Sequence, residues 1–180
     1  AILSPLLFYP LLKFKTGSNN FADFIQYFEL KKTRLLNLLL VMFFIISFEF
    51  IADFILLLTD IPIDIFTLEA RKFTDILVQK ILSFLAICII VPIMEELIFR
   101  GWLFQEIAKT KLGNWGAVCL SSILFSLAHL QYQEITPLLF VLIFGLILGI
   151  MRLKTNNIIY PIIAHITANT YVLFAPFWFH

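Results

Sequence analysis

Charge is scarce in this sequence of 180 residues, because only 14% of them are charged and the formal net charge is +1. A protein that binds nucleic acid through a basic surface needs an excess of Lys and Arg that is missing here, so we expect no nucleic-acid partner. Cysteine is also scarce, and both residues, Cys88 and Cys119, lie inside apolar runs. Their placement is typical of small core side chains and argues against a disulfide framework or a zinc knuckle.

Apolar residues dominate instead, at 61% of the chain with 21 phenylalanines, whereas soluble domains contain roughly 45–50%. A membrane-spanning helix needs roughly 20 apolar residues, and no alternating pattern of a barrel is present. Since lipid leaves the backbone no other partner than itself, the sequence predicts an all-α, polytopic membrane helical bundle, multi-pass in the cell membrane. We expect about five spans, at 35–58, 75–100, 115–131, 135–152 and 158–178, with interfacial helices at 59–74 and 102–113.

The same pattern predicts the organisation and orientation of the chain. Residues 1–74 form an N-terminal membrane region with a partial apolar segment, a basic loop, one span and an interfacial helix, and residues 75–180 form a second domain. Because the chain begins at Ala1 without Met, we expect a fragment or a trimmed protein. Nine Lys or Arg residues fall on the side of residues 13–34 and two on the opposite side, which predicts that residues 13–34 face the cytoplasm.

Polar side chains interrupt three of the predicted spans, at Glu95, Glu96, His129, His165 and Asn169. Ionisable groups inside a membrane are costly and usually mark function. Glu96 and Arg100 are four residues apart, so they share a helix face and can pair. His129 follows Phe125 by the same step, which stacks the two side chains on one face.

Each of these residues alone has an ordinary explanation. A single His in a span often serves helix packing, Glu96 and Arg100 alone would suit a structural ion pair, and Glu49 and Asp53 show that this chain carries acids in its first predicted span. Together they are difficult to explain by packing. Three classes of function remain open: a hydrolase, a non-catalytic immunity or scaffold protein, and a proton-coupled transporter, against which the lack of an inverted repeat argues.

Three motifs favour the hydrolase over the two alternatives: "EELIFR" at 95–100, "FSLAH" at 125–129 and "HITAN" at 165–169. In this order they resemble the pattern EExxxR, FxxxH and HxxxN of the CPBP family, the CAAX prenyl endopeptidases and bacteriocin-processing proteins also called Abi. The resemblance covers about residues 75–175 and implies that 75–180 is an intramembrane protease domain of the type II CAAX protease kind. Such an enzyme hydrolyses a peptide bond of a membrane-associated peptide or protein, prenylated or bacteriocin-like, with membrane lipid as its other partner.

The resemblance also implies catalytic roles for Glu95, His129, His165 and Asn169, with supporting roles for Glu96, Arg100 and Phe125. Glu95 is the expected base that activates water, and His129 is expected to hold that water. His165 and Asn169 are expected to bind the developing oxyanion. These residue types suit the chemistry, because a carboxylate in a low-dielectric cavity is a stronger base than in water and amide and imidazole N–H groups are good oxyanion donors.

A metal site is the alternative, since two His and one Glu also form a common zinc set. Glu95, His129 and His165 would then be the ligands. The chain lacks an HExxH motif, Asn169 is a poor zinc ligand, and few polar side chains are available in sequence to brace a ligating imidazole. We therefore predict catalysis without a cofactor, with Zn²⁺ as the alternative.

Overall fold

A computed structural model of the chain describes residues 21–59, 77–132 and 134–174. These residues form six helices and no strand: α1 Phe21–Tyr27, α2 Leu35–Thr59, α3 Leu77–Ala108, α4 Gly113–Leu127, α5 Ile135–Thr155 and α6 Ile159–Phe174. Helices α2, α3 and α5 are long and apolar enough to cross a membrane, whereas α4 and α6 are shorter apolar helices. The prediction of an all-α polytopic bundle is confirmed. The predicted apolar segment 1–12 and interfacial helix 59–74 lie outside the described residues, apart from Thr59 at the end of α2.

Helix α3 corrects the prediction that the second span ends at residue 100 and that 102–113 forms a separate helix. The helix continues to Ala108 because two widened π-helical segments, Leu85–Ile90 and Leu97–Leu103, keep the backbone hydrogen-bonded along its length. Such π segments are rare and occur frequently at functional sites. Gly101 does not end the helix; a Cβ atom at this position would lie 2.5 Å from Cδ1 of Phe28, so the glycine permits close packing of the N-terminal segment.

The ends of the later helices also differ from the predicted spans. Helix α4 ends at Leu127, so His129 lies in the turn that follows and not inside a span that extends to residue 131. Helix α5 ends at Thr155. The next residue, Asn156, has left-handed backbone angles and donates its N–H to the carbonyl of Arg152, which is a common helix stop. The last predicted span, which we expected to extend to residue 178, is described only as far as Phe174.

The core of the bundle surrounds the polar motif residues. Buried side chains from α2, α4, α5 and α6 form one apolar cluster: Ile45, Phe125, Phe144, Leu148, Ala164 and Ala168. Between α4 and α5, the Ser126 hydroxyl donates to the carbonyl of Leu138 at 2.9 Å. This bond ties two helices together, as polar side chains commonly do in membranes.

Candidate active site

Glu96 and Arg100 form a fully buried ion pair on one face of α3. Nη1 of Arg100 donates to Oε1 of Glu96 at 2.9 Å, so the pairing expected from their spacing is present. Nη2 of Arg100 donates to the carbonyl of Gly145 on α5 at 3.0 Å, and the guanidinium carbon lies 4.4 Å from the centre of the Phe125 ring. A buried charge is tolerated when it is paired and hydrogen-bonded, and these contacts supply both conditions.

His165 on α6 faces both adjacent glutamates of α3. Its Nδ1 lies 2.8 Å from Oε1 of Glu96, the same oxygen that accepts from Arg100. Its Nε2 lies 3.7 Å from Oε2 of Glu95, which is beyond hydrogen-bond distance. Glu96 therefore orients the imidazole and leaves Nε2 directed toward Glu95. The sequence predicted different tasks for the two glutamates, but not the contact between Glu96 and His165.

His129 lies in the turn after α4, where the backbone orients its ring. Its Nδ1 is 2.8 Å from the carbonyl oxygen of Phe125. Because a carbonyl only accepts, Nδ1 carries the proton, and in a neutral imidazole Nε2 holds the free lone pair. The ring centre of Phe125 lies 4.7 Å from that of His129 and 5.5 Å from that of His165. Phe125 thus contacts both imidazoles, which gives the aromatic position of the second motif a structural task.

Asn169 lies one turn beyond His165 on α6 and binds back to α3. Its Nδ2 donates to the carbonyl of Ile87 at 2.9 Å, within the first π segment of α3. An amide nitrogen carries two N–H bonds, so the second remains for another acceptor. The four predicted catalytic residues therefore occupy one region: Glu95 approaches His165, His129 joins through Phe125, and Asn169 is on the next turn.

Two further residues, the buried Arg152 and the half-buried Glu29, were not predicted as part of this region. Nε of Arg152 donates to the backbone carbonyl of Arg100 at 3.1 Å, and Nη2 of Arg152 pairs with Glu29. In the sequence, Arg152 contributed only to the orientation of the chain. The sequence did contain one signal: Arg152 lies in the last turn of a predicted span, four residues before Asn156. A charged side chain at the end of a span can reach polar partners.

The geometry bears on the zinc alternative in two ways. No group of three or more His, Cys, Asp or Glu side chains within the described ranges is arranged to hold a metal ion. However, the argument that braces are few was wrong. The Phe125 carbonyl braces His129 and Glu96 braces His165, and a backbone carbonyl cannot be identified as a partner from the sequence.

A family model described as type II CAAX prenyl endopeptidase Rce1-like matches residues 77–171, more than half of the chain. The chain belongs to this family. The match includes all three motifs and lies within the predicted domain 75–180, and the resemblance drawn from the motifs is confirmed. The membership and the apolar helices together identify this Rce1-like chain as an integral membrane protein.

Three curated relatives match part of the chain. The Rce1-like chain is 32% identical over 91 residues to an uncharacterized 24.3 kDa protein of Escherichia coli, covering 50% of this chain and 42% of the relative. It is 37% identical over 83 residues to the UPF0177 protein YxdF of Lactococcus lactis, covering 46% and 44%. It is 29% identical over 105 residues to YdiL of Bacillus subtilis, named as a candidate membrane peptidase, covering 58% and 41%. The matched region thus spans less than half the length of each relative. No solved structure matches the chain.

Proposed function

We propose that this Rce1-like chain is an intramembrane endopeptidase in which Glu95 activates water to hydrolyse a peptide bond. One observation carries the proposal: Oε2 of Glu95 lies 3.7 Å from Nε2 of His165, while Glu96 holds the other nitrogen of that ring. Two polar atoms at this separation can both hydrogen-bond to a single water at about 2.8 Å. A water held there would have a carboxylate base beside it.

The proposed reaction moves one proton out of the water and back to the leaving amine. Glu95 takes a proton from the water, and the oxygen attacks the carbonyl carbon of the scissile peptide. The lone pair on Nε2 of His129 accepts a hydrogen bond from the second O–H of the water, whose hydrogen stays on the oxygen, and this bond orients the attack. Asn169 and His165 donate N–H bonds to the oxyanion of the tetrahedral intermediate. The C–N bond then breaks, and Glu95 returns its proton to the departing nitrogen.

The position of the His165 ring suits this role. Its Nδ1 faces Glu96, so Nε2 is the nitrogen directed toward Glu95. Nε2 donates to an oxyanion when it carries a proton.

The proposed reaction proceeds without a cofactor. The nearest metal alternative would use Glu95, His129 and His165 as ligands, and a bound zinc would polarise the scissile carbonyl and acidify its water. Those three side chains do not converge on one point within the described residues. Positioned N–H donors and the neighbouring carboxylate therefore supply the catalysis in this proposal.

The proposed substrate is a membrane-associated peptide or protein with a prenylated or otherwise apolar end. Apolar side chains on α2 remain exposed in the bundle, for example Leu35 at 71% and Phe43 at 71%, as expected of a surface that contacts membrane lipid.

We further propose that the protein resides in the cell membrane with residues 13–34 on the cytoplasmic side, as the distribution of Lys and Arg predicts.

The test is a cleavage assay with purified protein in liposomes. Two substrates share one peptide sequence, one with a prenylated C-terminal cysteine and one with an apolar helical anchor, and mass spectrometry locates the cleaved bond. Internal cleavage of either substrate that persists with a strong chelator and disappears with Glu95→Gln supports the proposal. Activity that is lost with chelator and restored only by stoichiometric zinc contradicts the metal-independent mechanism. A wild-type protein that binds these substrates and cleaves neither favours the scaffold alternative.

A further inference from the structure

The guanidinium of Arg152 connects three parts of the chain through all three of its nitrogens. Nε donates to the carbonyl of Arg100 at 3.1 Å, Nη1 donates to Oδ1 of Asn156 at 3.1 Å, and Nη2 pairs with Oε2 of Glu29. The side chain is 2% exposed, and its guanidinium carbon lies 5.8 Å from the centre of the Phe104 ring. Because a guanidinium is planar and rigid, these bonds fix the positions of its partners relative to one another.

Glu29 reaches Arg152 from a backbone conformation that requires support. Its φ of 53° is in the left-handed region, which residues with side chains adopt rarely. Neighbouring contacts hold it there: Phe28 packs in the space above Gly101, and Asn157 bonds the backbone N–H and carbonyl of Lys31 at 3.2 and 2.9 Å. The carboxylate is thus brought to Arg152 by a firmly docked segment.

Arg100 links the pair of Arg152 and Glu29 to the proposed active site. Its carbonyl accepts from Arg152, while its guanidinium donates to Glu96, and Glu96 in turn holds Nδ1 of His165. Arg100 also lies inside the widened turn Leu97–Leu103, where the hydrogen-bond pattern of the helix is altered. A shift of the carbonyl of Arg100 would therefore carry its side chain, and with it the carboxylate of Glu96.

We propose that Glu29 and Arg152 are positioning residues of the active site, which hold the carbonyl of Arg100 and thereby set the placement of Glu96 and His165. The inference rests on the proposed function, because it assigns the pair to the reaction carried out at that site. Neither residue touches the reacting atoms. Both act through Arg100, so their loss is expected to lower the rate of the chemical step more than the binding of substrate.

A purely structural role is the competing explanation, since Glu29 also helps to dock the N-terminal segment. Asn157→Ala is a matched control. It removes bonds that dock the same segment, and one bond to the N–H of Ile159 at the start of α6, but leaves the bond between Arg152 and the carbonyl of Arg100 in place. If docking alone matters, Glu29→Gln and Asn157→Ala should have equal effects on the site.

The first measurement separates kcat from KM in the cleavage assay. A displacement of about 1 Å at a catalytic group can cost roughly 100-fold in rate, so we expect Glu29→Gln to lower kcat about tenfold with KM within about twofold. Arg152→Lys keeps the charge but places all its donors on one nitrogen, which cannot reach the three separate acceptors that the planar guanidinium spans. We expect the same result from it. Asn157→Ala should retain kcat within about twofold. Equal loss of kcat in Glu29→Gln and Asn157→Ala, or no loss in the former, overturns the inference.

The second measurement needs no activity and separates the inference from the proposed function. Hydrogen exchange of backbone amides in the peptide covering 97–104 should be faster in Glu29→Gln and Arg152→Lys than in Asn157→Ala, by about tenfold if the segment opens locally. Unchanged exchange in both variants overturns the positioning role even if the enzyme is active. Retained cleavage by Glu95→Gln would instead refute the proposed function, and the exchange result would still decide whether this pair holds the turn of Arg100. Thermal unfolding shows whether each variant folds. If either Glu29→Gln or Arg152→Lys fails to fold, the other one is compared with Asn157→Ala.

Discussion

Glu96→Gln should lower the stability of the bundle more than its conservative shape suggests. Oε1 of Glu96 accepts from Arg100 at 2.9 Å and from His165 at 2.8 Å, and both side chains of the ion pair are 0% exposed. Glutamine keeps the shape but removes the negative charge, which leaves the guanidinium buried without its counter-charge. Breaking a buried pair in this way costs about 3–5 kcal/mol.

A loss of this size should lower the temperature of the unfolding midpoint by about 10 °C, because each kcal/mol corresponds to roughly 2–4 °C for a chain of this length. The chain contains its own reporter, because Cys88 is buried and Cys119 is exposed. In a Cys119→Ser background, a thiol-reactive fluorophore detects unfolding through Cys88 alone.

The adjacent glutamate supplies the control for this experiment. Glu95 lies 3.7 Å from His165, beyond hydrogen-bond distance, so Glu95→Gln should change the unfolding midpoint by no more than about 2 °C, as for substitutions away from buried ion pairs. A Glu96→Gln variant as stable as the wild type would refute the argument that Glu96 neutralises Arg100. Equal destabilisation by both changes would refute the division of tasks between the two glutamates.

Three other variants test separate parts of the structure. A methyl at Gly101 would lie 2.5 Å from Phe28, so Gly101→Ala should lower the unfolding free energy by about 1–3 kcal/mol; a double-mutant cycle with Phe28→Leu should show partial rescue, and strict additivity would contradict the contact. Burial and the charge of Glu106 raise the pKa of Tyr27 above 10.0, so the unfolded chain loses the phenolic proton at a lower pH than the folded chain. The stability that Tyr27 contributes should therefore be full below about pH 10 and fall above it. Thermal unfolding at alkaline pH should show a smaller fall for Tyr27→Phe. Asn169→Ala removes a proposed oxyanion donor and should lower kcat about 100- to 1,000-fold, whereas a kcat within threefold of the wild type, measured by cleavage, would exclude that role.

The membrane architecture was predictable because apolar length in a sequence relates directly to bilayer thickness. The position of each helix end was harder to predict. We predicted that the second span ends at residue 100, but α3 continues through its second π segment to Ala108. A π segment contains one extra residue in a helical turn, and this leaves no mark in the amino-acid composition. The glycine at 101 permits the close approach of Phe28, but Phe28 lies more than 70 residues earlier in the chain.

Within the site, spacing predicted local contacts and missed those between helices. The pairing of Glu96 with Arg100 follows from a step of four residues, whereas the bond from His165 to the same carboxylate joins two distant helices. The carbonyl of Phe125 that orients His129 could not be identified from residue types, since every residue carries a carbonyl. Arg152 was overlooked for a similar reason, because its partners lie far away in sequence.

The central claim is that Glu95 is the base that activates water, and the turnover of Glu95→Gln tests it most directly. The side chain keeps its shape and the variant should unfold at the wild-type temperature, so a change in rate reports chemistry. General-base catalysis contributes about 100- to 10,000-fold, and the account predicts that kcat for cleavage of a membrane-embedded peptide falls by at least about 100-fold, with KM little changed. A correctly folded Glu95→Gln protein that retains kcat within tenfold of the wild type would contradict the account.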